Sequence, residues 1–353
     1  MWCHAQANPA TPATQPKGLP EPKNPQLKHR PPARPEAEAV KGRIHLDVSV
    51  TDASGDPVTS LGLSDFTVLD NGQPQKMVSL QFVDGPDEKP ESETRILLIV
   101  DTVNSRLQDM ELSLSGVEKF LLQRKGHLTV PVTVIFFTEA GFQVVSQSST
   151  DGNALADIVH RVQPSVHTIH SSAGQQADAE RFLLSVKSLT TIVNKEVREP
   201  GRKVLVWTGP GWPIFGGSDA EYSERGHRIN FNVLASLTNG LREARMVVCS
   251  AGGGPEYSVR DYLKPVKSPY DANAGRLALQ VIAVHSGGET LDPGNGSSPE
   301  EQIRGCVRGV DSYYSLEFDP PKAKAIGEYH GLKVKIDRPG FTAHTNDAYY
   351  GEP

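Results

Sequence analysis

The chain has 353 residues, 37% of them hydrophobic and 22% charged, with a net charge of −6. That length suggests two domains, or one domain with large additions, and it suffices for a sizeable core. The acidic balance argues against nucleic acid as a partner, and no apolar run approaches the ~18–20 residues of a membrane span. The three cysteines, Cys3, Cys249 and Cys306, are too few for a disulfide scaffold and lack zinc-ribbon spacing.

Residues 1–42 form a proline-rich leader, with Pro9, Pro12, Pro16, Pro20, Pro22, Pro25, Pro31, Pro32 and Pro35. So few large apolar groups cannot offset the entropy of ordering, and disorder is expected. Ala5-Gln6-Ala7 has the form of a signal-peptidase site, but the basic and apolar regions that precede such a site are missing from residues 1–7. It reads equally as a remnant of an export signal or as a chance tripeptide.

Residues 43–88 are β-patterned. Ile44, Leu46, Val48 and Val50 alternate with polar residues, as in a half-buried strand. Phe66 to Leu69 is a second strand. Asp70-Asn71-Gly72 is a hairpin turn, because Asn-Gly accepts positive φ, and Lys76 to Val83 is the expected return strand. Asp52, Ser54 and Asp56 mimic a calcium loop, but Pro57 and Leu63 stand where glycine and glutamate are needed.

Residues 95–310 alternate strands and helices. Ile96 to Val100 is a continuous apolar run, the mark of a strand buried on both faces. A helix is expected over 107–125, then a hairpin over 132–137 and 141–146, and helices over 154–162 and 177–197. A buried strand at 204–207, a helix at 229–242 and a strand at 246–249 follow. A helix at 272–285, a short strand from Gly287 to Thr290 and a last helix at 299–310 complete the unit. This alternation implies a doubly wound, mostly parallel sheet. In the tail, 311–353, Tyr314, Leu316 and Phe318, then Leu332, Val334 and Ile336, present apolar faces again. Neither β segment closes a sandwich alone. Together they are expected to form one small β-sandwich from both ends of the chain, flanking the α/β unit.

Several short segments, taken in order, resemble the von Willebrand factor A-related family of the Acidobacteria type. They are Asp65 to Gln75, Leu97 to Ser105, Phe136 to Ala140 with Ser149-Thr150-Asp151, Gly201 to Val206, and Ser286 to Glu289 with Ser312 to Leu316. The resemblance covers about 45–350 and implies a Rossmann-like α/β domain. It also implies a metal-ion-dependent adhesion site at the carboxyl edge of the sheet: D-x-S-x-S after the first strand, a Thr from a second loop and an Asp after the fourth strand. Hard oxygen ligands of that kind suit Mg²⁺.

Here the pattern is broken. Asp101 and Ser105 match, but Val103 replaces the middle Ser, and Trp207 to Trp212 contains no Asp. Thr168 is the candidate second-loop Thr; Asn104 and Asp219 are the available substitutes. The expectation is no cofactor, with Asp101, Ser105 and Thr168 as the remaining metal ligands if Mg²⁺ is held at all. The competing role for Asp101 is to bond the amides of its own loop.

His160, His167 and His170 read as solvated loop residues rather than zinc ligands. Gly209-Pro210-Gly211 lacks the lysine and third glycine of a phosphate loop, and it is better placed as a recognition loop beside a central strand. Of Trp207, Trp212 and Phe215, Trp212 is expected to be exposed, so Trp212, Thr208 and Asn104 are the candidate contacts for a protein partner. No G-x-S-x-G motif occurs. Cys249 and Cys306 read as inert core thiols, although the sequence leaves open whether they pair. The expected function is a non-enzymatic, protein-binding, adhesion-type module of an exported bacterial protein. The alternative is a metal-dependent hydrolase using the same edge.

Overall fold

The computed structural model describes residues 42–85, 93–162, 174–214, 223–254 and 256–352. Residues 1–41 of the leader, Thr168, Phe215, Asp219, His167 and His170 lie outside the described residues.

The chain opens with β1 (Ile44–Thr51), β2 (Phe66–Asp70), β3 (Gln73–Gln75) and β4 (Met77–Asp84). The α/β unit follows: β5 (Thr94–Asp101), α1 (Leu107–Gly126), β6 (His127–Thr138), β7 (Gly141–Val144), β8 (Ser149–Asp151), α2 (Gly152–Val162) and α3 (Gln175–Glu196). It continues with β9 (Arg202–Thr208), α4 (Glu224–Glu243), β10 (Met246–Ala251), α5 (Leu279–His285), β11 (Thr290–Leu291) and α6 (Pro299–Cys306). Then come β12 (Ser312–Phe318), β13 (Glu328–Ile336), β14 (Thr342–His344) and β15 (Ala348–Gly351). No described helix is long and apolar enough to cross a membrane.

The α/β sheet runs β11-β10-β9-β5-β6-β7, with β8 also on β6. Its first five strands are parallel; β7 and β8 are antiparallel to β6. Alternation along β5 feeds two cores. Ile96, Leu98 and Val100 pack with Leu114, Val117 and Phe120 of α1, Val159 of α2 and Ile303 of α6. Leu97 and Ile99 pack on the other face with Leu189 and Val193 of α3, Leu241 of α4 and Ile282 of α5. The fold is therefore the expected doubly wound sheet with helices on both faces.

The flanking antiparallel sheets draw strands from both ends of the chain. One runs β14-β1-β12-β4, the other β15-β13-β2-β3. Ile44, Leu46 and Val48 pair opposite Phe318, Leu316 and Tyr314, and Phe66 and Val68 opposite Ile336 and Val334. Their apolar faces share one core. At its edge a buried Asp70 takes hydrogen bonds from Tyr349 Oη at 2.6 Å and contacts His330 Nδ1 at 2.9 Å.

The structure departs from the sequence expectations in three elements. The Asn71-Gly72 turn is present, with φ of 48° and 80°, but its return strand is only β3. Met77–Asp84 crosses to the other sheet and pairs with β12. The expected helix over 272–285 is a 3₁₀ turn at Ala274–Leu277 and then α5, because Ala278 is extended (ψ 145°) between them. The last helix stops at Cys306 rather than Val310.

Candidate site at the carboxyl edge of the sheet

β5 hands over to β6 through α1, and β9 to β10 through α4, in opposite directions along the sheet. The order therefore reverses between β5 and β9. The crevice beyond the carboxyl ends of two such strands is where open α/β sheets receive ligands, and Asp101 and Thr208 end those strands.

Asp101 is fully buried, and both its oxygens are engaged. Oδ1 accepts from the Val103 and Asn104 amides, each at 2.9 Å. Oδ2 accepts from Asn104 Nδ2 at 2.8 Å and from Trp207 Nε1 at 2.8 Å. Burial pushes the carboxyl up, opposed by the donors on Asn104, Trp207 and Val103. A metal ion would need one of these lone-pair directions, and an indole N–H already occupies the one facing β9. Val103 belongs to the apolar core. The described residues do not fit Mg²⁺: one saturated carboxylate cannot anchor an octahedral oxygen shell. Among the described residues no cluster of three His, Cys, Asp or Glu is placed to hold a metal.

Ser105 sits nearby with its hydroxyl buried and, among the described residues, without a hydrogen-bond partner. It lines a narrow approach: a Cβ on Gly209, whose φ is 132°, would come within 3.1 Å of Ser105 Oγ and of Asp101 Cβ. Glycine is required there both by conformation and by space.

The three expected contact residues are not a surface. Trp212 is 3% exposed. Its ring meets Trp207 edge-on at 5.2 Å, and Trp207 meets Phe137 and Phe142 at 5.1 and 5.6 Å. This aromatic cluster draws Trp212 under the loop, correcting its expected exposure. Thr208 is buried too, and its hydroxyl donates to the Ile99 carbonyl at 2.8 Å. Asn104 is half-buried and spent on Asp101 and on Ser185 Oγ, 3.1 Å away. Described residues of this edge that do face solvent include Arg106, Leu107, Pro210 and Ile214.

Sequence reasoning missed Trp207 as the partner of Asp101; nothing local marks a tryptophan one strand away as a hydrogen-bond donor. The pairing that the sequence leaves open is made: Cys249 of β10 and Cys306 of α6 form a disulfide, with Cα atoms 5.7 Å apart. His160 is exposed beside Glu118 Oε1 at 3.5 Å. His285, at the end of α5, contacts Asp347 Oδ2 through Nδ1 at 2.7 Å.

No protein-family model matches the chain, and no curated protein matches it. Solved structures give distant likenesses. One is the von Willebrand factor domain of the type V pili tip protein Mfa5 from Porphyromonas gingivalis, at 14% identity over 45% of this chain and 50% of that chain, with a TM-score of 0.25. A second is the pilus adhesin SpaC from Lactobacillus rhamnosus GG in its open conformation, at 10% identity over 84% and 48%, with a TM-score of 0.36. A third is the SpRpn10 VWA domain, at 10% identity over 60% and 94%, with a TM-score of 0.29. The chain spans about half the length of the first two. The fold class rests on the strand order itself.

Proposed function

We propose that the chain is a non-enzymatic recognition module of an exported bacterial protein, which engages a protein partner through its carboxyl-edge loops without a metal ion. The observation that carries this reading is the Trp207 Nε1–Asp101 Oδ2 hydrogen bond. It converts the carboxylate that would anchor a cation into a brace between β5 and β9. The site is then a degenerate adhesion site whose binding function has passed to the loop surface. Arg106, Leu107, Pro210 and Ile214 offer that surface, two of them large aliphatic side chains 53% and 38% exposed. The disulfide favours an oxidising compartment outside the cytoplasm, since such bonds are rare where thiols are kept reduced. Among the described residues no group of three His, Cys, Asp or Glu side chains gathers to hold a catalytic metal, which speaks against the hydrolase alternative.

The test is crosslinking capture of partners by the full-length chain, with and without EDTA, against a Leu107→Asp/Ile214→Asp variant. Capture that survives EDTA and is lost in the variant supports the reading. Capture abolished by EDTA, or unchanged in the variant, refutes it.

A further inference from the structure

The opposite end of the sheet, where β5 and β6 begin, holds a cavity of about 330 Å³. Its floor is apolar and includes Phe120 of α1 and Val130 of β6, both buried. Its rim is cationic. The guanidinium groups of Arg124, Arg304 and Arg308 line it, with the His127 ring beside them, against one carboxylate among its lining residues, Asp311. In a chain with a net charge of −6 this is a local reversal of sign.

These cations are weakly engaged. Arg304 reaches Glu300 only at 3.5 Å, and Arg308 reaches the Ser54 carbonyl only at 3.5 Å. The Arg124 guanidinium has no hydrogen-bond or ion-pair partner among the described residues. Its backbone is also held in an unfavourable conformation. After Gln123 (ψ 154°), Arg124 and Lys125 are both left-handed, with φ of 49° and 61°, before Gly126 at 81°. A Cβ makes that conformation unfavourable. Asn153 Nδ2 pins the turn by donating to the Lys125 carbonyl at 3.0 Å.

We infer that this cavity binds a small carboxylate carried on an apolar body. Guanidinium forks match the two oxygens of a carboxylate. The volume lies at the lower end of the roughly 300–1,000 Å³ typical of small-ligand sites. The apolar floor gains only if the ligand brings apolar surface to cover it, which a bare inorganic anion does not. The site lies at the end of the sheet away from Asp101, so it is independent of the recognition edge.

Calorimetric titration of the full-length chain tests this, with 4-phenylbutyrate as probe, 4-phenylbutanol as its neutral counterpart and inorganic phosphate as the bare anion. We expect saturable binding of phenylbutyrate, with both other probes at least about tenfold weaker. Arg124→Ala combined with Arg304→Ala should weaken phenylbutyrate at least about tenfold and leave the melting temperature unchanged, since both side chains are exposed. No saturable binding of phenylbutyrate up to about 10 mM overturns the inference. So does an alcohol or a phosphate that binds as tightly, or an affinity the double variant does not change.

Discussion

Asp47 of the sandwich and Arg245 of the α/β unit form a two-pronged ion pair. Arg245 Nε donates to Asp47 Oδ2 at 2.9 Å, and Nη2 donates to Oδ1 at 2.8 Å. The same Nη2 donates to Tyr313 Oη at 3.1 Å, and Arg202 lies over the Tyr313 ring at 4.9 Å. Arg202 in turn donates to the Val310 carbonyl at 2.8 Å and to Ser49 Oγ at 2.9 Å. Strands from both ends of the chain are thereby tied to the base of the parallel sheet. Arg245 occupies a left-handed turn (φ 52°) after α4, which aims its side chain at β1. Removing one partner from such a buried pair leaves the other charge stranded. Asp47→Ala is expected to cost about 3–5 kcal/mol, measured by chemical denaturation. A loss under about 1 kcal/mol would show that the pair contributes little.

The same carboxylate predicts a pH dependence. Burial alone would push Asp47 up, but Arg245 and His45 outweigh it and hold the group well below the usual carboxylate range. Between the ordinary value near ~3.9 and that lower one, the unfolded chain binds the proton and the folded one does not. Asp47 therefore stabilises the fold fully above about pH 4, and this contribution fades as the pH falls further. The stability gap between wild type and Asp47→Ala should narrow on going from about pH 5 to about pH 3. A gap constant over that window would place the Asp47 proton elsewhere.

The disulfide joins positions separated by 57 residues. The chain-entropy relation gives about 4 kcal/mol for a closed loop of that size. Reduction should lower the melting temperature by roughly 5–10 °C, read by calorimetry with and without a phosphine reductant. Alkylation under denaturing, non-reducing conditions should label Cys3 alone. Labelling of all three cysteines would exclude the bridge.

Divalent metal should not stabilise the protein. A ligand that binds the native state raises the melting temperature by mass action, and Asp101 has no oxygen left to offer. Melting curves in EDTA and in millimolar Mg²⁺ or Mn²⁺ are expected to superimpose. Trp207→Phe withdraws one donor from the buried carboxylate and should cost about 1–3 kcal/mol. A Mg²⁺-dependent rise of several degrees in the wild type would contradict this account of the site.

Truncation after Val310 removes β12 from between β1 and β4, and β13 from beside β2. Amide exchange in such a fragment should lose protection throughout 44–84, because both remaining half-sheets lose their partners together. Full protection retained there would mean that the two ends of the chain fold separately.

Much of this architecture is legible in the sequence because it rests on periodicity. The Ile96–Val100 run announces a strand covered on both faces, and the alternation at 44–50 and 314–318 announces the faces that meet. What escaped depends on partners distant in sequence. Trp212 looks like an exposed loop aromatic until Trp207, itself flanked by Phe137 and Phe142, meets its ring edge-on. Cys249 and Cys306 look inert until α6 crosses β10. Lys203 sits in a strand as a buried cation that donates to the carbonyls of Glu196 and Ala244, at 3.1 and 3.0 Å, and of Glu199. Burial, with Arg95 adding to it, lowers its ammonium to about 8. No spacing rule finds such a cap, because its acceptors are the ends of two helices. At the site itself, that Val103 offers no side-chain oxygen was visible in the sequence, but the indole N–H that donates to Asp101 was not.

The insertion of the α/β unit between β4 and β12 has a mechanical consequence. Gly42 enters at β1 and Glu352 leaves after β15, so both ends of the described chain belong to the sandwich. Tension applied at those ends enters one sheet through β1 and leaves the other through β15. It acts across the contact between the two sheets, and the parallel sheet stands outside the line of force. The loops proposed for recognition, at the end of that sheet where β5 and β9 finish, would keep their geometry under a stretching load until the sandwich itself parts.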